Sequence, residues 1–139
     1  MKRILGIDPG EKRVGLAISD PMGIMAQGLD TFIGGTGEAF LEHLGRLIEE
    51  YDVESIVIGM PLSMSGGKIE GTEKAERLAE KISARFDIPV ILRDERMSSL
   101  EAERHLSNNR KGSGKGDIDR ISAIFILQSY LDEIADKNH

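Results

Sequence analysis

The sequence has no cysteine, no tryptophan and only three histidines in 139 residues. Without cysteine there is neither a disulfide framework nor a thiolate metal site, which accords with a reducing cytoplasm. His43, His105 and His139 fall on a helix face, near a helix end and at the chain terminus. None has a neighbour that suggests a Ser–His pair, so nucleophilic catalysis is poorly supported. Aromatics are scarce: four Phe and two Tyr give few platforms for stacking unpaired bases, which favours recognition of shape over readout of base sequence. No apolar run approaches the roughly 18 residues of a membrane span. Met1-Lys2-Arg3, followed by a run containing Asp8, is too short and too charged for a signal peptide. Basic residues are outnumbered, 18 Lys and Arg against 24 Asp and Glu, for a net charge of −6. That argues against coating nucleic acid by bulk attraction. Local clusters at Lys12/Arg13, Arg93/Arg96 and Arg110/Lys111/Lys115 can still oppose the total, and cations held by carboxylates would weaken the negative field further.

What is present reads as one α/β domain spanning residues 1–139, with no internal repeat and no linker. Ile4–Asp8 and Val14–Asp20 flank a polar, Gly-containing turn, the pattern of a β-hairpin. Pro9 ends the first run because it has no N–H to give the ladder, and Gly10 allows a close backbone approach near Asp8. Met25–Ile33 is a plausible third strand, weakened by Gly28. Phe40, Leu41, Leu44, Leu47, Ile48 and Tyr51 recur at helical spacing over 38–51, with His43 off the stripe and solvated. The β-branched run 55–59 reads as a buried parallel strand. A loop over 61–71 leads to a second helix over 72–86; it matches no phosphate-binding loop pattern. A further strand, 88–93, ends at Asp94-Glu95-Arg96. Ser98 and Glu101 form a capping box for a helix running to about Leu106. The Gly/Ser/Asn/Lys-rich stretch 107–116 reads as a mobile loop, and Asp117-Ile118-Asp119 leads into a long apolar helix that must lie against the sheet. The sum is a mixed five-stranded sheet, an antiparallel meander and then parallel strands, with flanking helices.

Carboxylates fall at the element ends. Asp8 closes the first strand, Asp94 and Glu95 follow the last, and Asp119 stands at the start of the terminal helix. Parallel strands bring their C-terminal ends to one edge, where sites form. Alternation forbids Asp94 and Glu95 from both pointing inward if the strand continues that far, and one of them can pair with Arg93 or Arg96. Asp117 or Asp119 can equally cap a helix. A cluster of carboxylates without Cys or a suitable His is a donor set for Mg²⁺ or Mn²⁺, and paired ions of this kind cleave phosphodiesters.

Four blocks in order carry a resemblance: 6–10 with 13–17; 57–62 with 66–67; 94–99 with 101–102; and 118–119 with 123 and 126–131. Together they resemble the YqgF (RuvX-type) family of pre-16S rRNA nucleases, formerly described as Holliday-junction resolvase-like. The resemblance covers nearly the whole chain. It implies an RNase H-like fold and a cytoplasmic, divalent-metal-dependent nuclease acting on the 5′ end of pre-16S rRNA. By position it implies Asp8, Glu95 and Asp119 as catalytic and metal-binding acids. Lys12, Arg13, Arg96, Arg110, Lys111 and Lys115 are then the nucleic-acid contacts, with structured RNA as partner. Junction resolvases of this fold are expected to carry an acid at the strand end that here reads Gly59-Met60. Competing readings are junction cleavage of four-way DNA, a nucleotide-binding ATPase relative, and a non-catalytic RNA-binding assembly factor.

Overall fold

A computed structural model describes residues 3–95 and 115–137, with side chains of the last segment from Arg120 onward. The elements are β1 (Arg3–Asp8), β2 (Arg13–Ser19), β3 (Ala26–Ile33), α1 (Glu38–Tyr51), β4 (Val53–Met60), α2 (Glu70–Phe86), β5 (Val90–Asp94) and α3 (Lys115–Lys137). The sheet order is β3-β2-β1-β4-β5. The β1–β2 and β2–β3 pairs are antiparallel, whereas β1–β4 and β4–β5 are parallel. The meander-then-parallel arrangement expected from the hydrophobic pattern is therefore present. The capping box at Ser98/Glu101 and the helix expected after it lie outside the described residues.

Strand alternation splits the core in two. Leu5, Ile7, Val14, Leu16, Ile18, Ile56 and Ile58 face α1 and α2, meeting Phe40, Leu44, Leu78 and Ile82. Ala17 and Val57 face α3, meeting Ala123, Ile126, Leu127 and Leu131. Among the described residues α3 alone covers that face, and it sits close because the residues beneath it are small. A Cβ at Gly28 would lie 2.3 Å from the Arg120 side chain, so the glycine expected only to weaken β3 is what admits the helix. Gln128 fastens the same helix to the edge strand: it accepts the Ala26 N–H at 2.9 Å and donates to the Ile24 carbonyl at 2.8 Å.

Several boundaries move from the sequence reading. Strand β4 starts at Val53, because Asp52 turns the chain through the left-handed region (φ 52°) straight out of α1. Helix α2 starts at Glu70, two residues before Thr72. The Thr72 hydroxyl accepts the Ile69 N–H at 3.0 Å and donates to the Pro61 carbonyl, so it ties the helix to the preceding loop from inside the first turn. Lys115 and Gly116, expected in the loop, are already helical. His43 is half-buried rather than solvated, its ring 5.2 Å from that of Phe32. Burial holds its imidazole below the usual range, and the neighbouring Arg46 acts in the same direction.

Candidate active site

Asp8 and Glu95 reach one place from the end of β1 and from the turn after β5. Leu5 and Ile7 face α1 and α2, so Asp8, at the end of β1, faces α3. In the parallel β1–β4 pair Gly6 lies opposite Val57 and Ile7 opposite Ile58; one residue further sets Asp8 beside Gly59. Gly59 faces α3 too. The space a side chain would fill there is taken: a Cβ would lie 2.5 Å from Ile126 Cδ1 and 2.8 Å from Glu95 Oε1. The Glu95 carboxylate therefore lies across the end of β4, beside the strand that ends in Asp8. Its backbone is fixed by the Glu95 N–H donating to the Met60 carbonyl at 3.1 Å. Both acids are half-buried.

Asp94 goes the other way. Arg93 reaches α3, donating through Nε to the Ser129 hydroxyl at 2.9 Å and forming an ion pair with Glu133. Arg93 thus occupies the α3 face, alternation turns Asp94 to the α2 face, and Glu95 returns to the α3 face. Hydrogen bonding and charge from Arg93 hold the Glu133 carboxyl below its ordinary range. Arg93 thereby ties the end of β5 to α3; the alternative partner named for these acids, Arg96, lies outside the described residues.

Helix α3 brings its beginning to the same edge. Arg120 donates to the Leu29 carbonyl at 3.1 Å, whereas Gln128 bonds Ala26 and Ile24. Leu29 pairs with Leu16, which pairs with Ile7; Ala26 pairs with Ser19, at the far end of the sheet. The helix therefore runs from the Asp8 end of the sheet towards its opposite end. Asp119 directly precedes Arg120 and is helical, with four residues of α3 before it, so it is not the N-cap. Its side chain lies outside the described residues. Among the described residues no three His, Asp or Glu side chains form a ready-made metal cage.

Of the basic residues singled out, Lys12 is exposed in the β1–β2 turn and Arg13 opens β2. The Lys12 carbonyl accepts the Gly34 N–H at 2.7 Å, which joins that turn to the loop before α1. Gly10 is needed by the hairpin itself, since a Cβ there would lie 2.2 Å from the Arg13 carbonyl oxygen. Arg96, Arg110 and Lys111 lie outside the described residues, and for Lys115 only the helical backbone is described. The sequence reading missed an ion pair beside this edge, Lys74 with Glu11 at 2.8 Å. No local motif signals it, because the partners are 63 residues apart.

The fold and the sequence both have relatives. The RuvX family model, described as Holliday junction resolvase, matches residues 2–133. A relative from Dictyoglomus turgidum, provisionally named pre-16S rRNA nuclease, is 43% identical over 135 residues, covering 96% of each chain. One of the same name from Koribacter versatilis is 42% identical over 132 residues, covering 94% of this chain and 86% of its own. Among solved structures, Thermus thermophilus RuvC superposes with a TM-score of 0.57 at 11% identity, covering 96% of each chain. The fowlpox virus Holliday junction resolvase gives 0.57 at 12% identity, covering 94% of this chain and 99% of its own. Those two likenesses establish the resolvase-type, RNase H-like fold. With the family model spanning nearly the whole sequence and relatives above 40% identity along it, the chain belongs to the RuvX family.

Proposed function

We propose that residues 1–139 form one nuclease domain that hydrolyses phosphodiester bonds of precursor 16S rRNA in the cytoplasm, with Asp8, Glu95 and Asp119 as its catalytic acids. The observation that carries this reading is the Glu95 carboxylate lying over Gly59, the neighbour of Asp8 in the sheet. The pre-16S assignment is supported by the names of the relatives. Among the described residues no helix is long and apolar enough to cross a membrane.

The donor set fits a hard cation. Oxygen ligands from one or two carboxylates, completed by water and substrate phosphate, are the usual company of Mg²⁺ or Mn²⁺. Asp8, Glu95 and Asp119 would hold the metal, which when bound supplies an activated water and neutralises charge on the leaving oxygen. The chain's own part is positional. Strand β1 presents Asp8 on a rigid end, the turn after β5 folds Glu95 back over Gly59, and Arg93 holds that strand end against α3. Lys12 and Arg13 would steady the backbone phosphates, with Arg96, Arg110, Lys111 and Lys115 extending the contact. Four-way DNA is the weaker substrate reading, because the space at Gly59 holds Glu95 and Ile126 and admits no additional acid.

The test is cleavage of a precursor 16S fragment carrying its 5′ extension, with Mn²⁺, by wild type and by Asp8→Asn, Glu95→Gln and Asp119→Asn. Wild type should cut, and each variant should lose about two orders of magnitude or more in rate. Retention of full cleavage by all three would remove the mechanism.

A further inference from the structure

The antiparallel pairing of β2 with β3 breaks register next to Asp8. Leu16 pairs with Leu29 and Val14 with Phe32, so Gly15 alone stands opposite both Asp30 and Thr31. Gly15 is also the partner of Asp8 between β1 and β2. Val14 and Leu16 face α1 and α2, so Gly15 between them faces α3, as Asp8 does. Asp8, Gly15 and a β-bulge thus form one row on the α3 side of the sheet. Bulges re-aim backbone and side chains beside active sites.

Helix α3 is pinned to this bulge by one side chain. Arg120 donates through Nε to the Leu29 carbonyl at 3.1 Å, and its guanidinium lies 3.3 Å from Asp30 Oδ1. Its stem passes over Gly28, where a Cβ would lie 2.3 Å from Cγ and 2.5 Å from Cδ. Asp30 is wholly exposed, so the ion pair contributes little and the carbonyl bond is the firmer tie. The next tie to the β3 side is Gln128, about 12 Å further along the helix. Among the described residues, Arg120 is the polar tie nearest the start of α3. Asp119 is the residue before it, in the same helical turn, with its Cα about 3.8 Å away.

We propose that Arg120 is a positioning residue for the metal-binding acids. By gripping the bulge it sets the start of α3, and the backbone of Asp119 with it, at the level of Asp8. This deepens the nuclease reading and rests on it for the role of Asp119. Arg120 is a cation beside a cation site, so by charge alone its removal would tighten metal binding. Loss of Arg120 also leaves the Asp30 carboxylate without its partner, which acts in the same direction. A positioning role predicts the opposite sign.

Calorimetric Mn²⁺ titration of the full chain reads that sign without RNA. Arg120→Ala should weaken binding about tenfold, the lower end of the range for residues that orient metal ligands. Gly28→Ala keeps every charge but pushes the Arg120 stem off the strand, and should weaken binding too. Gln128→Ala cuts the far tie of the same helix and should leave the affinity unchanged. Amide hydrogen exchange shows the cause: amides 119–122 should exchange faster in Arg120→Ala and Gly28→Ala but not in Gln128→Ala. The amides of Leu127 and Leu131 should stay slow in Arg120→Ala and Gly28→Ala, which keeps the loss apart from unfolding. Unchanged or tighter Mn²⁺ binding in Arg120→Ala, or an equal loss in Gln128→Ala, would overturn the positioning role while the nuclease reading stands. Absence of Mn²⁺ binding to wild type would overturn that reading and this inference with it.

Discussion

Replacing Gly59 by alanine separates the two things that meet there. The added Cβ would sit 2.5 Å from Ile126 Cδ1 and 2.8 Å from Glu95 Oε1, well inside van der Waals contact. Ile126 is 2% exposed, so its methyl group has little free space to turn into, whereas Glu95 is half-buried and can swing outward. Overpacking of this kind costs about 1–3 kcal/mol. At roughly 4 °C per kcal/mol for a chain of this size, the unfolding midpoint should fall by about 4–12 °C. Ile126→Val removes the colliding methyl at a cost of about 0.5–1.5 kcal/mol on its own. The double variant should therefore lose less than the sum of the single losses, with a coupling of about 1 kcal/mol. Precursor cleavage behaves differently: it should be at least about tenfold slower in Gly59→Ala and stay slow in the double variant, because Glu95 is displaced in both. Calorimetric unfolding and a single-turnover cleavage assay read the two effects. Additive stabilities within about 0.5 kcal/mol would refute the packing of Ile126 against Gly59, and an unchanged cleavage rate would refute that of a catalytic Glu95 over it.

Thr72→Val keeps the shape of a fully buried side chain but leaves the Ile69 N–H and the Pro61 carbonyl without its hydroxyl, and should cost about 1–3 kcal/mol by denaturant unfolding. His43 has its imidazole pKa held down chiefly by burial, so as pH falls the unfolded chain takes up this proton first. Its contribution to stability should be complete above the ordinary histidine value of about 6.5 and should decline as pH drops below that towards the folded value. His43→Gln should flatten that part of the stability profile, and the folded-state midpoint of the His43 ring protons by NMR should lie below the ordinary value.

The sheet was legible because each of its cues is local. The runs 4–8, 14–20 and 55–59 are β-branched or apolar and closed by Pro, Gly or charge, and they became β1, β2 and β4 with shifts of a residue or two. Helix starts were less legible, since Thr72 has the look of a cap while its hydroxyl is used from within the first turn, and the Gly-rich stretch before Asp117 hid a helix that has begun by Lys115. Within the candidate site, the strand-end rule brings Asp8 and the Asp94-Glu95 pair to one edge but does not choose between the two acids; that Glu95 takes the α3 face rests on the side that Arg93 occupies. The role of Gly59 does not follow from that rule either, because it depends on a glutamate 36 positions later folding back over it. The contact between His43 and Phe32, and the ion pair between Lys74 and Glu11, join elements distant in sequence through packing, which no periodicity reports.

The central claim is that acids from β1, the turn after β5 and α3 act together on one cation. Calorimetric titration of Mn²⁺ into wild type and into Asp8→Asn, Glu95→Gln and Asp119→Asn tests it without an RNA substrate. Saturable binding to wild type, weakened by about tenfold or more in each single variant, is the predicted result. Binding unchanged in all three variants, or none to wild type at millimolar metal, would contradict it.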